Sequence, residues 1–339
     1  MKYPFLQGSE FEIGRMEEIL EDLSKSKTGK KLIEEAVGHK TTIRFDGAMR
    51  AYGSYDEVEN LLRLNPANSK DRLVGTMAHE LRHAEQFQKG IQLDALLDTP
   101  KTYLQNQAVI EADASTTATA VCYELALQGN DKPLESLREK DPHIVNPFQN
   151  AAAQGGLANG DAHRAAFKGW FTDYSTRDAY DSLYVRMYEQ RQRKASSAEQ
   201  DRSLLREVPV EGMAATVCSL PDGKPYMPEK ETKDFFADPD RSTVSYSSFN
   251  ATYMYLFRRF RLDYKLEAEG NMKKFGLTMR PAFGYMPRPV VPEPLPLPTV
   301  ENRQAAAAEK IAAARADRAA KQPSPAALLN KKKEITGGR

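Results

Sequence analysis

Cysteine is scarce in this 339-residue chain: Cys122 and Cys218 are the only two, far apart and in no CxxC pair. That leaves no basis for a disulfide framework or a thiolate-held metal. No segment runs to 18 consecutive apolar residues, and the opening MKYPFLQGSEFEIG has no basic stretch followed by an apolar one. A membrane span and a cleaved secretory signal are therefore not expected, and a cytoplasmic location is. Export by a machine that reads a C-terminal signal is compatible with the same facts. Net charge is also missing: the formal value is +1 at pH 7, which gives no general drive towards nucleic acid or membrane, so neither is expected as a partner. What is there, 40% hydrophobic and 28% charged residues, suits a globular protein with a sizeable core.

Apolar residues at helical spacing in EFEIGRMEEILEDLSK (Phe11, Ile13, Met16, Ile19, Leu20, Leu23) predict a first helix, and GKKLIEEAV a short second one. TTIRFDG and NLLRLNP read as strands, closed by Asp46-Gly47 and by Asn65-Pro66. A helix is expected from Asp71 to about Lys89, stopped by Gly90, and a longer one over residues 102–129 whose middle is rich in Ala, Ser and Thr. Two more helical stretches fall between Asp161 and Lys194. Their aromatics (Trp170, Phe171, Tyr174, Tyr180, Tyr184), like those of VSYSSFNATYMYLFRRFRLDY at 244–264, are expected to pack the core. The fold class is α+β, mainly helical. Beyond Arg280 the chain turns proline-dense, RPAFGYMPRPVVPEPLPLPTV, then alanine-rich and basic, with nine lysines and arginines against four acids from Glu301 on. The expected organisation is a core over 1–130, a helical extension packed on it over 131–280, and a Pro-rich linker with a basic, disordered or partly helical tail over 281–339.

The chemistry is concentrated in GTMAHELRHAEQF, residues 75–87. Helical residues four apart share a face, so His79 and His83 can aim their imidazoles at one point. Glu80, next to His79, can reach a water there without ligating a metal. This is HExxH, in which two histidines hold zinc and the glutamate acts as general base. With five histidines and 27 glutamates, chance placement gives the motif roughly once in 200 such chains, so its setting must carry part of the argument. Leu73, Val74, Met77, Ala78 and Leu81 make the helix a buried one, and histidines on a buried helix need partners. The strand NLLRLNP just upstream is expected to offer an edge to an extended peptide.

Two histidines do not hold zinc alone. Glu111, acidic amid apolar and small residues in AVIEADASTT on the next long helix, is the expected third ligand. Asp113 is its rival, about 200° round that helix; Glu124 should face elsewhere. The alternative role for Glu111 is an ion pair with Arg82 or Arg72. His163 in NGDAHRAAF is a candidate for stabilising an oxyanion, the bland alternative being a core histidine. His143 and His39 are weaker candidates.

HExxH followed by a glutamate on a second helix resembles the gluzincin class of zinc metallopeptidases. More narrowly, LNPANSKDRLVGTMAHELRHAEQ looks like a bacterial family of uncharacterised metallopeptidases, the resemblance covering roughly residues 25–125. It implies a zincin-like core, in which a small antiparallel sheet lies beside the HExxH helix and a second helix bears a ligand, with a helical C-terminal part following. It also implies His79, His83 and Glu111 as zinc ligands and Glu80 as general base. Many gluzincins place an aspartate four residues after the ligand glutamate, where it supports a histidine. Here that position is Ser115, so the support must come from elsewhere. The expected function is hydrolysis of a peptide or protein substrate. The alternative is an inert metal-binding or interaction protein, exported as a bacterial effector or docking a partner through its Pro-rich C-terminal segment.

Overall fold

The computed structural model describes residues 3–196, 198, 206–245, 278–280, 290–299 and 302. The protein is mainly helical α+β. Among the described residues a four-stranded sheet and ten helices form the main body. By compactness the chain divides into Met1–Leu295 and Pro296–Arg339, the second almost entirely outside the described residues. The aromatic stretch at 246–264 lies outside them too.

Strand β1 (Leu6–Gln7) leads into α1 (Glu10–Lys25) and α2 (Lys27–Gly38), and the chain then enters β2 (Thr42–Phe45). Ser9 caps α1 in a full capping box with Glu12, and Ser26 caps α2. Because this helical pair returns the chain to the end where it began, β1 and β2 pair in parallel. Next come β3 (Gly53–Asp56) and β4 (Leu61–Leu64), a hairpin whose antiparallel pairing follows from its short connection. The spatial order is β1-β2-β4-β3, with β2 and β4 parallel.

Two expectations are corrected here. The sheet is mixed rather than antiparallel, because a helical crossover precedes β2. NLLRLNP is not an edge strand either: β4 lies inside the sheet, and β3 takes the edge. GSYD has no apolar alternation to announce a strand, and its residues are all half-buried.

The HExxH helix is α3 (Lys70–Gln88), capped by Ser69 and ended at Gly90, whose φ of +81° is easy only for glycine. Leu73, Val74, Met77, Ala78 and Leu81 are all at most 1% exposed and pack with Met16, Leu23, Ile43 and Leu62 in the core between helices and sheet. Each such large side chain contributes about 1.5–3 kcal/mol of burial.

Helix α4 (Pro100–Ala126) runs beside α3 and is buried over nearly its whole length. The two are antiparallel: Gly75 lies against Cys122 Sγ near one end, while Gln86 reaches the Ile110 carbonyl near the other. Small residues explain the approach, since Gly75 faces Cys122 and the middle of α4 is Ala, Ser and Thr. Glu124 does face elsewhere, taking hydrogen bonds from Ser26 Oγ and from the backbone N–H and hydroxyl of Thr28, which ties α4 to the start of α2.

Helices α5 (Lys132–Lys140), α6 (Pro142–Ala153), α7 (Asp161–Trp170) and α8 (Tyr174–Arg193) surround α4, followed by α9 (Val210–Val217) and α10 (Glu229–Phe236). Residues 292–295 of the Pro-rich stretch lie along α6. Asn146 and Asn150 donate to the carbonyls of Pro292 and Glu293, both at 2.9 Å, and the Leu295 N–H donates back to Asn150. No helix among the described residues is long and apolar enough to cross a membrane.

Candidate metal centre

Two helices build the centre. One turn of α3 separates His79 from His83, and their rings meet edge to face, 4.7 Å between centroids at 85°. Their Nε2 atoms are 3.0 Å apart. Antiparallel α4 brings Glu111 Oε2 to 3.2 Å from His79 Nε2 and 3.6 Å from His83 Nε2.

The hydrogen-bond network fixes which atoms carry lone pairs. Gln86 Nε2 donates to the Ile110 carbonyl at 3.0 Å and to Asp113 Oδ2 at 2.6 Å, so Gln86 Oε1 is an acceptor. His83 Nδ1, 2.9 Å from that oxygen, must be the donor. Neutral His83 then has its lone pair on Nε2, facing His79 and Glu111. Glu111 Oε2 is buried and has no hydrogen-bond partner. With His79 Nε2 beside them, the lone pairs of His83 Nε2 and Glu111 Oε2 converge on one point, which is unfavourable unless a positive charge sits among them.

The spacing fits such a cation. Ligand atoms 2.0–2.1 Å from a tetrahedral centre lie roughly 3.3–3.4 Å from one another, and the observed separations of 3.0, 3.2 and 3.6 Å bracket that value. Two imidazole nitrogens and a carboxylate oxygen suit zinc. In the metal-free protein burial opposes the charges, but the histidines hold Glu111 well below the usual carboxylate range, and Glu111 carries His83 up to about 9.

Asp113, the rival ligand, is spent elsewhere. Its carboxylate accepts from Arg82 Nε at 2.7 Å, Gln86 Nε2 at 2.6 Å and the Tyr226 hydroxyl at 2.6 Å. Arg82 also binds Glu85, and the ion pair of Arg72 is with Glu139, so neither pairs with Glu111. Asp113 thus stands behind Gln86, which stands behind His83. No acid follows Glu111 at the fourth position, and Gln86 supplies the support for the histidine instead.

The sequence matches the family described as "Putative metallopeptidase family (DUF6782)" over residues 1–227. The chain belongs to that family. No curated protein and no solved structure matches it. The matched stretch is wider than the 25–125 of the resemblance and contains every residue of the centre, through to Tyr226 behind Asp113.

In this member of the family, a half-open cleft runs past the centre, lined by His79, Glu80, Gly53, Arg72, Lys140 and Tyr180 among others. Glu80 is 7% exposed, and burial raises its pKa, which strengthens it as a base near neutral pH. Gly53 of the edge strand presses on it. A Cβ there would stand 2.7 Å from Thr76 Cγ2 and 2.9 Å from Glu80 Cγ, so only glycine lets β3 pass so close.

Helix α8 adds two residues from the aromatics expected to pack the core. Tyr184 donates its hydroxyl to Glu111 Oε1. Tyr180, one turn earlier, stacks on Tyr184 and opens onto the cleft. Their spacing of four was visible in the sequence, but nothing there said that α8 would cover Glu111.

His163 lies away from the cleft, packed between Phe148 and Tyr226, with burial pushing its pKa down to about 4. That places it as the core histidine of the two readings and away from any oxyanion in the cleft. His143 is buried 3.9 Å from Asp173, and His39 sits exposed after α2.

Proposed function

We propose that the protein is a zinc-dependent peptidase of the gluzincin type, with a zincin-like core of sheet, HExxH helix and second ligand-bearing helix. His79, His83 and Glu111 hold the ion, and the observation that carries this reading is the convergence of their ligand atoms on one point, with the His83 Nε2 lone pair and the unpartnered Glu111 Oε2 turned inward. Bound zinc supplies Lewis acidity, polarising a carbonyl and acidifying water. Glu80 takes the proton of the attacking water and delivers it to the leaving amine; its burial raises its affinity for that proton. Tyr184 and Gln86 fix the orientation of Glu111 and His83. The edge of β3, which begins at Gly53 in the cleft wall, offers backbone groups to an extended peptide.

Elemental analysis should find one zinc per chain in the wild type, and strongly reduced zinc in His83→Ala and Glu111→Ala. Glu80→Gln should keep its zinc and lose cleavage of a mixed pool of unstructured peptides followed by mass spectrometry. A zinc-free wild type, or equal cleavage by wild type and Glu80→Gln, overturns the reading.

A further inference from the structure

The cleft does not end at the metal centre. Arg72, Thr76, His79 and Glu80 fall on one face of α3 and all line it. Arg72 and His79 are seven residues apart, so their backbones are separated by about 10 Å along the axis, the span of about three extended residues. A peptide lying over the centre therefore comes within reach of Arg72.

The Arg72 side chain is only 15% exposed, and among the described residues its Nη1 is buried with no hydrogen-bond partner. The carboxylate nearest to it is that of Glu139, which is 79% exposed and 4.0 Å from Nη2, at the outer limit of an ion pair. A buried guanidinium nitrogen without an acceptor is costly, and the group is shaped to take a carboxylate through two parallel hydrogen bonds.

Its position is held. Arg72 Cζ and Lys140 Nζ each lie 5.4 Å from the centre of the Tyr52 ring. The loop carrying Tyr52 is tied down by Asn65, whose N–H donates to the Tyr52 carbonyl and whose Nδ2 donates to that of Met49. Lys140 is 3.2 Å from Asp141, which also lines the cleft, so those two charges offset each other. Glu80, the other acid in the lining, belongs to the centre. Arg72, whose nearest carboxylate is the exposed one of Glu139, is left as the most weakly paired charge in the lining.

We infer that this end of the cleft is a carboxylate-recognition subsite, with Arg72 as its main residue and Lys140 beside it, and that the substrate is a peptide carrying a carboxylate within about three residues of the cut bond. The inference rests on the peptidase reading above and adds a substrate class to it. The carboxylate is either the free C-terminus or an Asp or Glu side chain; the recognition chemistry is shared.

Peptides cut by the wild type in the mixed pool would be resynthesised in three forms: as found, with the C-terminus amidated, and with nearby Asp or Glu replaced by Asn or Gln. One of the two neutralised forms should lose roughly ten- to hundredfold in kcat/KM. Which one does identifies the source. In Arg72→Gln the ratio between the acid and neutral forms should fall towards one, with Arg72→Lys in between because it keeps the charge and loses the fork. Glu80-dependent cleavage that is indifferent to both neutralisations overturns the subsite and leaves the peptidase standing. So does a preference that survives in Arg72→Gln. If no Glu80-dependent cleavage of any peptide is found, the peptidase reading fails and the subsite falls with it. The wild-type comparison needs no variant, so a poorly folding Arg72→Gln does not shield the inference.

Discussion

Gln86→Met tests the support behind the proposed metal ligands. The side chain is 0% exposed, and methionine fills nearly the same volume, so no large cavity is made. What disappears is the acceptor for His83 Nδ1 and one of the three donors to Asp113. Asp113 keeps Arg82 and Tyr226, so the larger consequence falls on His83. Its N–H is left buried and unpaired, at about 1–3 kcal/mol. The neutral ring can also move its proton to Nε2, the atom that must face the metal. Loss of such an outer partner typically weakens metal binding about 10- to 100-fold, or about 1.4–2.7 kcal/mol. Competition with a chromophoric chelator at fixed pH measures the zinc Kd, and circular dichroism confirms the fold. A folded Gln86→Met with a zinc Kd within threefold of wild type would refute the tautomer argument.

Gly53→Ala should keep its zinc but lower kcat roughly tenfold or more, because the new methyl must displace Thr76 and Glu80; wild-type kcat would mean that Glu80 gives way at no cost. Zinc affinity should climb as pH rises from 6.5 to about 9, because zinc must displace the proton that Glu111 helps His83 retain; a flat profile between pH 7 and 9 contradicts it. The stability of the metal-free protein runs the other way. The His83–Glu111 contribution is full below pH 6.5 while Glu111 stays ionised, and is lost as pH passes about 9, which thermal melts in the presence of a chelator would register. Arg82→Ala should destabilise by about 3–5 kcal/mol, since it leaves Asp113 buried without a cation and Glu85 with Lys89 alone; a melting temperature unchanged from wild type argues against that.

Much of the centre could be read from spacing, because a helix converts a separation of four into a shared face. That placed His79 and His83 together and Glu80 beside them, and it turned Glu111 and Asp113 to different sides of α4. The Asp71–Lys89 helix was legible for similar reasons: Ser69 and Gly90 punctuate it, and its apolar row is unbroken. Strand β3 was not legible. Gly53–Asp56 has no alternating apolar residues, and it is a strand only because β4 is there to pair with it.

The sequence by itself determined the local chemistry: which residues could ligate, which glutamate could act as base, and which helices would be buried. Those follow from interactions within one or two turns. Only the tertiary structure decided that Glu111 reaches the histidines while Asp113 goes to Arg82, that Gln86 supports His83, and that Tyr184 covers Glu111. It also set Arg72 in the wall of the cleft without a close carboxylate. Each of these depends on how α3, α4, α5 and α8 pack side by side, and that arrangement is fixed by contacts among residues distant in sequence, which no local pattern records.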